Sequence, residues 1–213
     1  MTALSVPDAV DRSDLGAFIA RVVRLDQVAT VRLRASGATV TAWASTPFDV
    51  LATRSVLGTV VPADVTVPAA GLLTALAVER ADTVNPGTGG LWLGELPPTE
   101  GWAPVDTVPA AELEGLTERG LAVARENAGP LGPPASLLDQ TVLTVTRASG
   151  GPAIKVPLRC LLALSGMGFL GDADPGGDGG VVRVSATGTW MRLDARYGAV
   201  VRRRLTALPL LVG

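Results

Sequence analysis

The chain has 213 residues, 47% of them hydrophobic and 18% charged, which is enough apolar material to bury a sizeable core and lies far from a disordered composition. It contains no histidine and a single cysteine, Cys160, which removes His-based triads, zinc sites built on His, internal disulfides and thiolate clusters. A net charge of −2, with Lys155 the only lysine among 18 basic residues, argues against non-specific binding to DNA or to an anionic membrane, because that affinity comes from neutralising phosphates. In chain order, Asp11, Ser13 and Asp14 cap a helical run of Leu15, Phe18, Ile19, Val22 and Val23, so 13–25 is predicted to be an amphipathic helix. A β-meander follows over 28–35, 39–44 and 48–56, with Ser36-Gly37 and Thr46-Pro47 at its turns. Short extended pieces at 60–61 and 65–67 lead to Pro68 at the start of a short apolar helix ending near 77.

Residues 84–111 are broken by Gly and Pro and read as weak edge strands, at 90–95 and 103–107, in a linker. This region sets the boundary between two predicted halves, 1–108 and 109–213. In the second half a helix spans 110–127, a strand 140–146 and a further strand 153–156, and Pro157 opens an apolar helix to about Met167. A loop over 171–180 then leads to a second meander at 181–185, 189–194 and 199–204, and Leu205–Val212 is expected to dock on the core.

Two internal matches suggest repetition. Val31-Arg32-Leu33-Arg34-Ala35-Ser36-Gly37 and Val182-Arg183-Val184-Ser185-Ala186-Thr187-Gly188 share the pattern V-R-apolar-x-A-S/T-G, and Val67-Pro68 with Leu72-Leu73 parallels Val156-Pro157 with Leu161-Leu162. With helices starting near 13, 68, 112 and 157, the chain reads as four copies of a helix followed by antiparallel strands. The expected fold class is α+β, two pseudo-repeated halves each with a small antiparallel sheet packed on helices.

On those residues the chain resembles DNA sliding-clamp domains. The stretch Thr39 to Ala77 is similar to the middle of a clamp domain, and Ile154 to Leu210, ending on Leu208-Pro209-Leu210, to the later part of one. The resemblance implies a clamp-like fold, and a six-domain ring would need three chains of two domains. Clamps line their hole with basic helices, whereas the four helices predicted here sum to about zero charge, so the resemblance speaks to fold more than to DNA encirclement.

Few constellations carry chemistry. Gly166-Met167-Gly168-Phe169-Leu170-Gly171 matches G-x-G-x-x-G, but a helix precedes it where a strand should, so it is read as a helix terminus. Asp172, Asp174 and Asp178 have calcium-loop spacing without the bidentate acid, since Arg183 stands at that position. Cys160 is read as a buried small hydrophobe, Lys155 as a solvated charge without a role toward Ser149, and Asp49 as a solvent-facing strand residue. No catalytic residue, cofactor or metal is expected.

Charge is uneven. Residues 79–118 hold eight acids against Arg80, and 192–204 hold five arginines against Asp194. The sharper reading is of complementary surfaces meeting between halves or subunits. Arg192, Arg196, Arg202, Arg203 and Arg204 are the candidate surface for an anionic partner, and Trp92 and Trp102 are candidate interface anchors. The expected function is a non-enzymatic interaction or scaffold protein. The alternative is a nucleic-acid binder, through a clamp-like ring or a winged helix built from 137–144, 156–167 and a 181–204 wing. Sparse charge predicts a homo-oligomer or a protein partner. With no leader-like N-terminus and no run near the roughly 18 apolar residues of a membrane span, a soluble, unexported, cytoplasmic chain without membrane contact is expected.

Overall fold

The computed structural model describes residues 2–79, 81–130, 132–171 and 180–204. Its first half runs β1 (Ala3–Ser5), α1 (Ala9–Leu25), β2 (Thr30–Ser36), β3 (Thr39–Thr46), β4 (Val50–Leu57), β5 (Thr59–Val61), β6 (Asp64–Pro68), α2 (Ala69–Glu79) and β7 (Thr83–Val84). The second runs β8 (Ala103–Pro109), α3 (Ala110–Glu126), the single turn α4 (Ala135–Leu138), β9 (Thr141–Val145), β10 (Ile154–Pro157), α5 (Leu158–Gly166), β11 (Val181–Ala186), β12 (Trp190–Ala195) and β13 (Gly198–Arg203). The fold is α+β with antiparallel sheets on helices, and the two meanders stand where the sequence places them.

Each of the four long helices follows a Val-Pro pair: Val6-Pro7, Val67-Pro68, Val108-Pro109 and Val156-Pro157. The valine ends a strand or extended segment with its side chain buried in every case. The proline, fixed near a helical φ and lacking the N–H that a first turn leaves unpaired, lets the helix begin. Before α1 the cap is Asp8, whose carboxylate accepts from the Val10 and Asp11 amides at 2.8 and 3.0 Å, so the helix starts four residues earlier than the Ser13 expectation.

The main sheet has eight strands in the order β6-β2-β3-β4-β13-β12-β11-β8. It is pseudo-symmetric: each meander is edged by a Val-Pro strand that leads into a helix, β6 into α2 and β8 into α3. The two meanders join through β4 and β13, with Leu51 opposite Val201, Ala52 opposite Val200 and Thr53 opposite Ala199. Complete meanders follow only α1 and α5. After α2 and α3 come the short β7 and β9, so the expected four equal copies reduce to two complete and two shortened ones.

Strand alternation gives this sheet two faces. On the inner face Leu33, Ala42, Ala52, Val184, Leu193 and Val200 pack under the helices in one core that runs through both halves. Leu15, Phe18, Ile19 and Val22 of α1 join it, and α5 is buried along its whole apolar run from Leu158 to Leu164, beneath α3. Phe18 and Phe169 stack across the seam with ring centres 6.3 Å apart. The G-x-G-x-x-G segment closes α5: Gly168 has φ +60°, and the Phe169 amide donates to the Leu164 carbonyl at 2.9 Å, a C-cap rather than a phosphate cradle. Asp172, Asp174, Asp178 and the expected docking of Leu205–Val212 lie outside the described residues. Among those described, no helix is long and apolar enough to cross a membrane.

Candidate interaction surface

The outer face of the sheet carries most of its hydroxyls and guanidiniums and its tryptophans. Register puts Arg32 and Arg34 of β2, Thr41 and Trp43 of β3, Leu51, Thr53 and Ser55 of β4, Val201 and Arg203 of β13, and Trp190 and Arg192 of β12 on this side. Residues 85–102, read from sequence as a linker with a weak strand at 90–95, form no strand there. They cross the outer face as a strap, tied at its start where the Gly90 amide donates to the Thr66 carbonyl at 3.1 Å and Thr30 Oγ1 donates to the Leu91 carbonyl at 3.1 Å. Gly90 is required at this crossing, since a Cβ would lie 2.8 Å from the Val67 amide nitrogen. Trp92, Leu96 and Trp102 of the strap pack on Trp43, Trp190, Leu51 and Val201, so all four tryptophans of the chain meet in one small outer core.

Beside the strap, where the halves join, lies a groove of about 610 Å³. Val50, Leu51, Val201 and Trp190 give it an apolar floor, the turn before β4 one end, and strap residues Gly94 and Glu95 a wall. Its rim is charged: Arg203 Nη1 donates to Glu95 Oε2 at 2.7 Å, with both side chains 63% exposed. At the end of β3, Thr46 Oγ1 donates to the Val50 carbonyl at 2.8 Å, and Asp49 turns the chain with φ +57°. Asp49 is therefore a turn residue, not the strand residue expected, because a left-handed φ cannot continue a strand.

Beneath this groove an ion cluster fastens the halves together. The Arg159 side chain, only 7% exposed, donates from Nε to Asp139 Oδ1 at 2.8 Å and from Nη1 to the Phe48 carbonyl at 2.8 Å. Arg202 Nη2 reaches Asp139 Oδ1 at 3.1 Å and Asp49 Oδ2 at 3.5 Å. Cys160 sits beside it, and burial pushes its thiol up to about 12, so it is an inert core residue as the sequence suggests.

Of the five arginines expected to form one anionic-partner surface, Arg202, Arg203 and Arg204 line the groove, and Arg192 and Arg196 lie away from it. Arg202 points into the ion cluster on the helix side. Arg203, one residue on, is on the outer rim, and Arg204 donates to the Thr187 carbonyl at 3.0 Å. Arg192 is held by Asp194 Oδ1 at 2.7 Å, and Arg196 lies in the β12–β13 turn, 5.3 Å over the Tyr197 ring. Strand alternation turns Arg202 and Arg203 to opposite faces, although both border the groove. The expected meeting of acidic and basic segments is seen within the chain at one pair, Glu95 and Arg203. Sequence reading missed the groove itself; the signal it carried was an isolated acid in an apolar, Gly/Pro-rich segment.

The helix layer offers little free positive charge. Its four long helices carry six arginines against seven acids. Three of the six arginines are engaged: Arg159 is buried, Arg12 donates to Asp82 and to the Val6 and Pro7 carbonyls, and Arg24 donates to the Gly166 carbonyl at 2.9 Å; one of the acids, Asp14, pairs with Arg54 of β4. Nor is a winged helix formed, since half of its first helix, expected over 137–144, falls in strand β9.

Residues 97–207 match the family described as domain of unknown function DUF8185, and residues 1–91 match a second, DUF8010. The chain belongs to the DUF8185 family. Among curated proteins none matches it. Among solved structures this DUF8185 chain is similar to the β sliding clamp of Caulobacter crescentus, at 15% identity and TM-score 0.59, over 98% of this chain and 66% of the clamp. The Pseudomonas aeruginosa DNA polymerase sliding clamp matches at 13% identity and TM-score 0.59, over 99% and 66%. The sliding clamp of Bartonella birtlesii matches at 14% and 0.54, over 99% and 66%. The fold is clamp-like, and the chain spans just under two thirds of the length of these clamps.

Proposed function

We propose that the chain is a non-enzymatic interaction module which receives an extended segment of a partner protein in the groove at the seam of its two halves. The observation that carries this reading is convergence. Three regions distant in sequence, the turn before β4, the strap and the end of β13, build one groove with an apolar floor and a rim bearing both signs of charge. An apolar centre with a charged rim is the usual anatomy of a protein interface. The non-enzymatic part rests on the acids around the groove, Asp49, Asp139 and Glu95, each of which is paired with an arginine.

Likeness to sliding clamps supports a scaffold role. What weighs against DNA encirclement is the helix layer, whose charges cancel and half of whose six arginines are engaged within the chain. Self-association, expected from composition, belongs to the same proposal but has little route through strand pairing. Pro104 lies in the edge strand β8 and Pro109 ends it, and Gly90 covers the Thr66 carbonyl on the other edge, β6. A second copy would meet the exposed apolar residues of α1 and α2, around Val10 and Val78.

The test is a photoreactive benzoylphenylalanine placed at exposed Ser45, at the groove, and separately at exposed Ala17 on α1, in cells. A discrete adduct with a different protein from Ser45, and from Ala17 either none or a crosslink to a second copy of the chain, is the expected result. A different protein captured from Ala17 alone, or nucleic acid captured at either position, overturns it.

A further inference from the structure

We propose that a second cavity, beneath the strap, is a binding site for a small ligand that combines a flat aromatic ring with one anionic group. The cavity measures about 270 Å³ and shares no residue with the seam groove. Pro97, Pro98 and Trp102 of the strap form its roof, and Trp43 and the β2–β4 hydroxyls its floor. The Trp102 indole N–H donates to the Pro98 carbonyl at 2.9 Å, which fixes that ring in place. An aromatic ring held this way offers stacking area at little cost in order.

Charge is what selects the ligand. Arg34 and Arg192 line the cavity and no carboxylate does. Their nearest acids are already spoken for. Arg32 takes both oxygens of Asp64 at 2.8 Å, and that hydrogen bonding holds the Asp64 carboxyl below the usual range. Arg34 comes no nearer to Asp64 than 3.3 Å, at Nε, and among the described residues its side chain makes no hydrogen bond to a carboxylate. Arg192 gives Nε and Nη2 to one oxygen of Asp194 at 2.7 Å, leaving Nη1. Two guanidinium ends thus face a space walled by tryptophan and proline, where an anion gains more from them than in open water. Thr41 and Ser55 are hydrogen-bonded to each other at 2.9 Å, and that pair keeps one O–H to donate.

Size sets the class. Ligand pockets run from about 300 to 1,000 Å³, so this cavity has room for a single ring system with its acid group and not for a peptide or a nucleic-acid strand. An aryl carboxylate and a nucleobase monophosphate share the required chemistry. The other wall of the strap borders the seam groove, but the proposal does not depend on what that groove binds.

The experiment is titration calorimetry of the full chain with 2-naphthoate and with adenosine monophosphate, each against its neutral counterpart, 2-naphthalenemethanol and adenosine. Tryptophan emission is followed in parallel, because all four tryptophans border the strap. At least one anion is expected to bind, its neutral counterpart about ten-fold or more weaker. Binding by naphthoate alone identifies an aryl carboxylate and binding by the monophosphate alone a nucleotide. Arg34→Gln is expected to weaken binding about ten-fold with the thermal midpoint unchanged, while Arg203→Gln, outside the cavity, leaves it intact. Should Arg34→Gln fail to fold, Arg34→Lys, which keeps the charge but loses the planar fork, is expected to weaken binding in the same direction. No binding by either anion, equal binding of the neutral compounds, or indifference to both Arg34 variants overturns the proposal.

Discussion

The two faces of the eight-stranded sheet are made by the same strands and differ in nearly everything else. The inner face is aliphatic, shared by both halves and closed by helices, with α5 buried and Phe18 stacked on Phe169 across the seam. The outer face alternates hydroxyls, arginines and tryptophans, is crossed by a segment without regular structure, and holds both the groove and the smaller cavity. In a fold shared with proteins whose name is the DNA sliding clamp, the helix layer is the first place to look for function. Here that layer is close to neutral, and the features suited to recognition are on the other side. Fold and working surface are separate inferences.

The contrast predicts graded responses to substitution. Phe169→Ala on the inner side removes a fully buried ring that also packs against Gly198, and is expected to cost about 3–5 kcal/mol in chemical denaturation, with both halves unfolding in one transition. Two separate transitions would break the claim of a shared core. Arg159→Met removes one of the two guanidinium partners of Asp139 and the donor to the Phe48 carbonyl, and about 1–2 kcal/mol of destabilisation is expected, moderated by the remaining Arg202 and by the partial exposure of that acid. Gly90→Val forces the strap off β6. Its cost should be nearer 1 kcal/mol, and its signature is a red shift of tryptophan emission at a temperature where the circular dichroism is still native. A blue or unshifted emission would mean the strap is not what shields the tryptophans. Arg203→Gln, at an exposed rim pair, should change stability by less than about 0.5 kcal/mol, and a larger loss would make that pair part of the framework rather than of the rim.

Much of the architecture is legible in local pattern. Period-two alternation marks both meanders, and proline after a buried valine marks the start of all four long helices, although only Val67-Pro68 and Val156-Pro157 stand out as a repeat because Leu-Leu follows them. What is not legible is anything that depends on non-local pairing. The joining of β4 to β13 creates the groove, yet no residue of Leu51 to Thr53 or Ala199 to Val201 announces its partner. The arginine triplet at 202–204 does border one groove, but sequence adjacency conceals the two-residue period of the strand, which ties Arg202 into the ion cluster beneath it. The Gly/Pro-rich middle reads as a linker since it has neither period, and only its tryptophans hint that it packs against something. Asp49 reads as a strand residue because its neighbours are apolar, whereas its left-handed backbone belongs to the turn that ends the groove.

The central claim is that the outer face, not the helix layer, does the binding, and the anisotropy of a fluorescent DNA duplex titrated with the full chain tests it most directly. From about 50 mM to about 200 mM salt, the account predicts no saturable binding, because the helix layer has little net charge with which to displace counterions. Saturable binding that weakens ~10³-fold across that range, and is lost on charge reversal of Arg21 and Arg119 but not of Arg203, would contradict it.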